Sequence, residues 1–462
     1  TISNATSARV ILRSADQVQY LRAESSGIEA NDSSPVQVSP AAYARMVVEA
    51  PGETLDPGIF DAIEDDGKVG NASAQDAGVP FDVRVFATDA YWNPVSDQDP
   101  ALPVNMDFSS SDAAAVLPAN PQSIAENMGD FQVTLITLAD PNHQTVRVDD
   151  NGSPVGAFAS IPVKAGVIDH FDIGINNRTN PTPNDVLESI PDFRAGSLLP
   201  NVTVVARDVF GNHVNDYSEN VTLYVNHGSG ILNPVSIDLG DGLGSGTYQG
   251  SWRGPIQITR TGIDIRLYAR EDTYANTDSS NTFNVFAEAQ DYADLVILLP
   301  GETHTPGIAP GKVGTPLPVV AGDPIVATVI ATDAWWNQVP VQPQIHFNSD
   351  NYFQMITPND TPLDPEGRSD FDLFMRTATT HALRAADLIT PAIEDVSTLD
   401  ATPGDIDRLM VLLPGEASQP GGPEPDGKIG TPVPQTASLA VSYTHLTLPT
   451  MSTTWWGGGG GG

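Results

Sequence analysis

Ala77–Val95 reads AGVPFDVRVFATDAYWNPV, and Ala321–Val339 reads AGDPIVATVIATDAWWNQV. In the first stretch Phe81, Val83, Val85 and Ala87 alternate with Asp82, Arg84, Phe86 and Thr88. That period of two belongs to a strand with one face in a core and the other toward water. Ile325, Ala327, Val329 and Ala331 repeat the pattern. A more distant copy, Ala195–Val214, reads AGSLLPNVTVVARDVFGNHV with one extra residue, and there Val202, Val204 and Ala206 alternate. Each strand ends in an aspartate, Asp89, Asp208 or Asp333, with an asparagine four residues on, Asn93, Asn212 or Asn337.

Outward from these strands the repetition continues. Arg45–Glu53 reads RMVVEAPGE, Leu295–Glu302 reads LVILLPGE and Arg408–Glu416 reads RLMVLLPGE. A second Pro-Gly follows each (Pro57-Gly58, Pro306-Gly307, Pro420-Gly421), and then a Gly-Lys-Val/Ile-Gly element at Gly67–Gly70, Gly311–Gly314 and Gly427–Gly430. The anchoring aspartates are 119 and 125 residues apart and the last two Pro-Gly-Glu elements 114 apart, a repeat of about 115 to 125 residues. Solenoid and propeller repeats run ~20 to 50 residues, so a unit of this length can bury a core of its own. Val104, Met106 and Phe108, then Phe131, Val133 and Leu135, then Val221, Leu223 and Val225 mark further short strands bounded by Gly, Pro, Asn or Asp. The expected class is all-β, with antiparallel β-sandwich domains in tandem.

Composition agrees and excludes several functions. The 462 residues carry 58 acidic groups against 21 Lys and Arg, a formal charge of -37. Phosphate backbones and anionic membranes would be repelled at every approach, which excludes nucleic acid as a partner. The acids are 43 Asp to 15 Glu and the bases 17 Arg to 4 Lys, a balance suited to turns and solvated loops. With no cysteine there are no disulfides, thiolate nucleophiles or zinc-thiolate sites. No apolar run approaches the ~18 residues of a membrane span, so no membrane insertion is expected. Forty Gly and 39 Pro count against long helices.

The strand ending in Ala-x-Asp, followed by an aromatic or Gly, then Asn and a Val two beyond it, resembles the bacterial immunoglobulin-like tandem repeats of the Big or invasin type. The fuller string LLPGE, PG, GKxGTP, AG and ATDxxWN is similar to repeats of long secreted or surface-anchored bacterial proteins. It covers Arg45 to about Ala437, although the unit from about Val167 to Ala287 lacks both Pro-Gly-Glu and Gly-Lys-Gly. The resemblance implies an immunoglobulin-like sandwich in a spacer, adhesive or accessory role, and no enzymatic activity.

Three recurring groups bear on chemistry. Three of the four lysines, Lys68, Lys312 and Lys428, share one repeat position, and Glu53, Glu302 and Glu416 precede them by ten to fifteen residues. We expect paired Glu and Lys holding a long Pro/Gly loop against the first strand; the functional alternative is a ligand-binding cation. The Asp/Asn pairs Asp89 with Asn93, Asp208 with Asn212 and Asp333 with Asn337 suit an Asx-type turn that tolerates left-handed geometry. They also leave calcium open as a cofactor, since that ion takes six to eight oxygens from carboxylates and carbonyls. The acid-rich loops expected at Ile63–Gly67, Asp149–Gly152 and Asp360–Asp372 are further calcium candidates, none with EF-hand spacing; the alternative is solvated surface. Tyr91-Trp92 and Trp335-Trp336 suggest a stacking platform for sugars, or packing of one ring of each pair under the turn, as with Phe210. HExxH, GxSxG, Walker and dinucleotide patterns are missing, so no catalytic or cofactor-binding residues are assigned and the metal ligands stay unknown.

Residues 1–44 read as the closing strands of a domain, 45–166 as a repeat with the PGE and GKVG loop, 167–292 as a divergent repeat, 293–406 as a repeat with that loop, and 407–437 as the start of another. From Val441 the chain reads VSYTHLTLPTMSTTWWGGGGGG, which resembles the translation of a sequencing adapter followed by a run of Gly codons. Residues 438–462 are accordingly expected to be a non-native tail; the alternative is a Ser/Thr linker with a flexible Gly tail. The reading favoured is a non-catalytic structural or adhesive spacer of a large extracellular or cell-surface bacterial protein, with other surface proteins or glycans as partners. Its alternatives are a carbohydrate-binding accessory region of an extracellular hydrolase and a surface-layer or filament component.

Overall fold

The computed structural model describes residues 9–15, 17–58, 66–138, 143–150, 157–226, 232–243, 248–271, 277–351, 355–422 and 427–436. The expected non-native tail lies outside the described residues. Within them the chain is all-β, tandem immunoglobulin-like sandwiches with two single-turn 3-10 segments.

In the first sandwich Phe81–Thr88 pairs antiparallel with Arg45–Glu49 on one side and Met128–Val133 on the other. The facing sheet runs Gln122–Ile124, Val104–Ser110, His143–Asp150, Ala157–Lys164, and Gln75–Asp76 joins its edge in parallel. Val83, Val85 and Ala87 meet Met106, Phe108, Val146, Val148 and Ile161 between the sheets. The strict alternation fails at Phe86, which is buried on the opposite face with Val47 and Trp92, and Leu55 packs against them. The cause is the short hairpin Glu53–Leu55/Lys68–Gly70, which covers part of that sheet's outer surface.

The second sandwich sets Ile168–Ile175, Leu198–Asp208, Ser251–Ile258 and Leu232–Asn233 against Ser236–Asp238, Asn220–Val225, Leu267–Glu271 and Thr277–Ser279. A three-stranded sheet of Phe193–Arg194, Phe283–Phe286 and Gly262–Ile265 completes it. The extra residue of this copy is taken up where the register with Ser251–Ile258 shifts between Leu199 and Val202. Asn201 there has φ 61°, a left-handed setting that asparagine tolerates better than most residues.

The third sandwich repeats the first. Asp294–Leu298, Pro324–Thr332, Arg368–Phe374 and Met355–Thr357 face Val319–Val320, Glu394–Thr402, Thr380–Asp387, Gln344–Ser349 and Asp360–Pro362. Phe347 and Phe371, both fully buried, meet at 4.9 Å in its centre. The three cores share no residue.

Candidate functional site

The strand that carries the alternating pattern delivers its terminal aspartate to a buried place at one end of each sandwich. In every copy one carboxylate oxygen accepts two backbone N–H groups. They come from Tyr91 and Asn93 (2.8 and 3.1 Å), Phe210 and Asn212 (2.9 and 2.8 Å), and Trp335 and Asn337 (2.8 and 2.9 Å). The other oxygen accepts the side-chain amide of the asparagine at 3.0, 2.9 and 2.9 Å. In the first two copies it also accepts a linker N–H, from Ala41 at 2.9 Å and Gly166 at 3.0 Å. The Asx-type turn is therefore present, but the left-handed residue is neither Asp nor Asn. It is the one before the asparagine: Trp92 at φ 64°, Gly211 at 81° and Trp336 at 59°.

The aspartate orients the asparagine, and the asparagine reaches out of its own sandwich. Asn337 Nδ2 donates to the Thr259 carbonyl (2.7 Å), and Thr261 N–H donates back to Asn337 Oδ1 (2.9 Å). Asn212 does the same with Ile136 and Leu138 (2.8 and 3.1 Å), and Asn93 with Arg13 and Ala15 (2.8 and 2.8 Å). A carbonyl and an N–H two residues apart on an extended chain point to the same side. The carboxamide thus supplies the pair of hydrogen bonds that a neighbouring strand's peptide would. The asparagines are 2, 8 and 0% exposed, so these bonds are shielded from water.

Two glycine motifs belong to the same joint. A Cβ on Gly58 (φ +84°) would lie 2.5 Å from Ser14 Cα, and one on Gly307 (φ +78°) 2.8 Å from Arg260 Cα. Gly421 lies in the same way against Thr377. Ser14 and Arg260 are the central residues of the backbone segments that the asparagines grip, so the second Pro-Gly of each repeat packs against the preceding segment. The glycine of the Ala-Gly pair serves the other direction. The Phe210 ring lies on Gly78, and the Trp335 ring on Gly196.

One ring of each aromatic pair packs under its turn as expected, and these contacts correct the expectation for Phe210 alone. Phe210 does not pack under its own turn; it corresponds to Tyr91 and Trp335 and faces the preceding sandwich. The rings under the turn are Trp92 and Trp336, which lie on Gly67 and Gly311 of their own repeats. The Arg45 guanidinium is 4.3 Å from the Trp92 ring centre.

The Glu and Lys side chains meet as expected. Lys68 is 2.9 Å from Glu53, Lys312 is 3.1 Å from Glu302 and Lys428 is 3.0 Å from Glu416. Each glutamate also accepts the N–H of the residue three before it, Ala50, Leu299 or Leu413. Lys312 donates further to the Ile297 carbonyl (2.8 Å) and Ser397 Oγ (2.9 Å), tying the hairpin to the first and last strands. In the first repeat the reach is to the Phe158 carbonyl on the closing strand instead.

Of the acid-rich stretches, Asp360–Asp372 is not a loop. Asp360–Pro362 is a strand, Asp364 accepts the Arg368 N–H at 2.8 Å, and Asp370 and Asp372 lie within a second strand. Residues 63–65 and 151–152 of the other two lie outside the described residues. Among the described residues no cluster of three or more His, Cys, Asp or Glu is placed to hold a metal. Asp333 has its pKa raised, foremost by burial, against the lowering effect of its bonds from Asn337 and Trp335.

No protein-family model matches the chain. A stretch of 125 residues is 30% identical to the major capsid protein L1 of human papillomavirus type 50, covering 25% of this chain and 23% of that protein, so the chain spans less than a quarter of that relative. Among solved structures it is similar to FdeC, an Escherichia coli adhesin, at 14% identity and TM-score 0.35 over 79% of this chain and 100% of that one. It is similar to invasin, a bacterial integrin-binding protein, at 15% identity and TM-score 0.26 over 86% of this chain and 68% of that one. A third is the surface layer protein SbsC, domains 4–9, at 14% identity and TM-score 0.20 over 82% and 50%.

Proposed function

We propose that this chain is a non-catalytic spacer or adhesive region of a large secreted or cell-surface bacterial protein, in which sandwiches are joined stiffly end to end. The domains on this reading are 45–166, 167–292 and 293–406, with 1–44 and 407–437 as parts of flanking units. One observation carries the reading: the asparagine of one sandwich grips the backbone of the preceding segment in three successive places with the same pair of hydrogen bonds. A flexible string of beads would have no use for such a device, because its linkers alone would hold the units together. The acidic surface would keep neighbouring molecules apart while the joints set reach. Small-angle X-ray scattering tests it. The wild-type chain should give the profile of a single extended conformer, and the N212A/N337A variant that of an ensemble with shorter mean dimensions. Identical profiles for the two would overturn the stiff-joint reading.

A further inference from the structure

Each joint has a donor side, the Asp-x-aromatic-x-Asn turn, and an acceptor side on the preceding sandwich. The first acceptor is Gly78 with the segment 135–138: Gly78 N–H donates to the Leu135 carbonyl (2.8 Å), the Phe210 ring covers the glycine, and Asn212 grips Ile136 and Leu138. The second is Gly196 with 258–261, built alike: Gly196 N–H to the Ile258 carbonyl (2.8 Å), Trp335 over the glycine, Asn337 on Thr259 and Thr261.

The third sandwich carries the same construction at its far end. Gly322 N–H donates to the Met375 carbonyl at 2.8 Å, and Gly322 has φ +98° where Gly78 and Gly196 have +77° and +75°. Met375 is buried like Leu135 and Ile258, and Arg376 and Ala378 after it are exposed. The correspondence makes Arg376 O and Ala378 N–H the pair an asparagine would take, with Thr377 central as Arg260 is in the second acceptor. Gly421 already lies against Thr377, as Gly307 lies against Arg260. Among the described residues, a Cβ on Gly322 would meet nothing within 4 Å.

We propose that this end of the third sandwich is a docking surface for a further repeat unit bearing its own Asp-x-aromatic-x-Asn turn. The asparagine amide of that unit bonds Arg376 O and Ala378 N–H, and its aromatic ring lies on Gly322. The inference rests on the stiff-joint reading and extends an interface that Pro420-Gly421 has begun.

The direct test is an extended chain in which residues 321–406 are copied after Thr436 to complete a fourth unit, followed by residue-resolved amide hydrogen exchange. The Ala378 amide should slow about tenfold or more on extension and return to its original rate when the copied asparagine is replaced by alanine. An Ala378 amide that exchanges alike with and without a folded fourth unit overturns the proposal. If the added segment fails to fold, the chain as it stands decides. T259R/R260T/T261A places the third acceptor's sequence under Asn337, and the amide at position 261 should keep its protection. Loss of protection to the level of N337A counts against the third segment as an acceptor. If N337A itself leaves the Thr261 amide of the parent chain unchanged, the joint reading is what fails.

Discussion

At Asn337 a single carboxamide makes three hydrogen bonds, one to the aspartate of its own turn and two to the preceding sandwich. N337A removes the bonds that the Thr259 carbonyl and the Thr261 N–H make to the asparagine. We expect a cost of about 1 to 3 kcal/mol, read as a lower denaturation midpoint of the third sandwich in urea. Lys312 and Glu302 form the other buried device, their side chains 18 and 5% exposed. Removing one partner of a buried pair strands the other, so K312M should cost roughly 2 to 4 kcal/mol, somewhat below the full penalty because Lys312 keeps some contact with water. A double variant K312M/E302Q should recover part of that loss. His213 gives the pH dependence. Burial foremost, with Arg207 beside it, pushes its imidazole down from 6.5 to about 4. Above pH 6.5 neither state is protonated there and nothing changes. Below it the unfolded chain takes up a proton that the folded one refuses, so stability falls as pH drops toward 4, by about 3 kcal/mol in all. Melts of the second sandwich at pH 7 and 4.5 should show the loss, and H213F should flatten it.

At the scale of elements, the strands were legible because burial on one face imposes a period of two, and Val83, Val85, Ala87 and their copies keep it. The joint was not legible for a related reason. Asn93, Asn212 and Asn337 serve a neighbouring unit, and alternation along a strand says nothing about what lies beyond its end. The glycines of the second Pro-Gly and of Ala-Gly did not betray the joint either, because each sits at positive φ in a tight turn of its own unit and reads as turn chemistry, while its bare Cα also admits the neighbour. Phe210 escapes the expected place because Gly211 holds the position of Trp92 and Trp336, which leaves the second sandwich no ring under its turn and sets Phe210 against Gly78. The Glu–Lys pair was readable because three of only four lysines share one repeat position, each with a glutamate ten to fifteen residues before it. If the glycines are there for close approach, G307A should open the joint rather than the sandwich. Its Cβ would meet Arg260 at 2.6 Å in a left-handed setting, so amide protection at Thr261 should drop while the core of the third sandwich melts within a few degrees of the parent.

For the whole molecule the central claim is that successive sandwiches hold one orientation through side-chain hydrogen bonds, with no covalent brace other than the chain itself. Three cores, each complete, allow the joint to be broken without unfolding its neighbours. The lack of cysteine makes the measurement clean, since two introduced thiols are the only sites that a spin label can take. S236C/E394C places one label on the second sandwich and one on the third, both at exposed positions. Pulsed electron-electron resonance across that joint should give one narrow distance distribution in the parent and a broad one once N337A is added. A distribution equally broad in both, or one that stays narrow without the asparagine, would contradict the account.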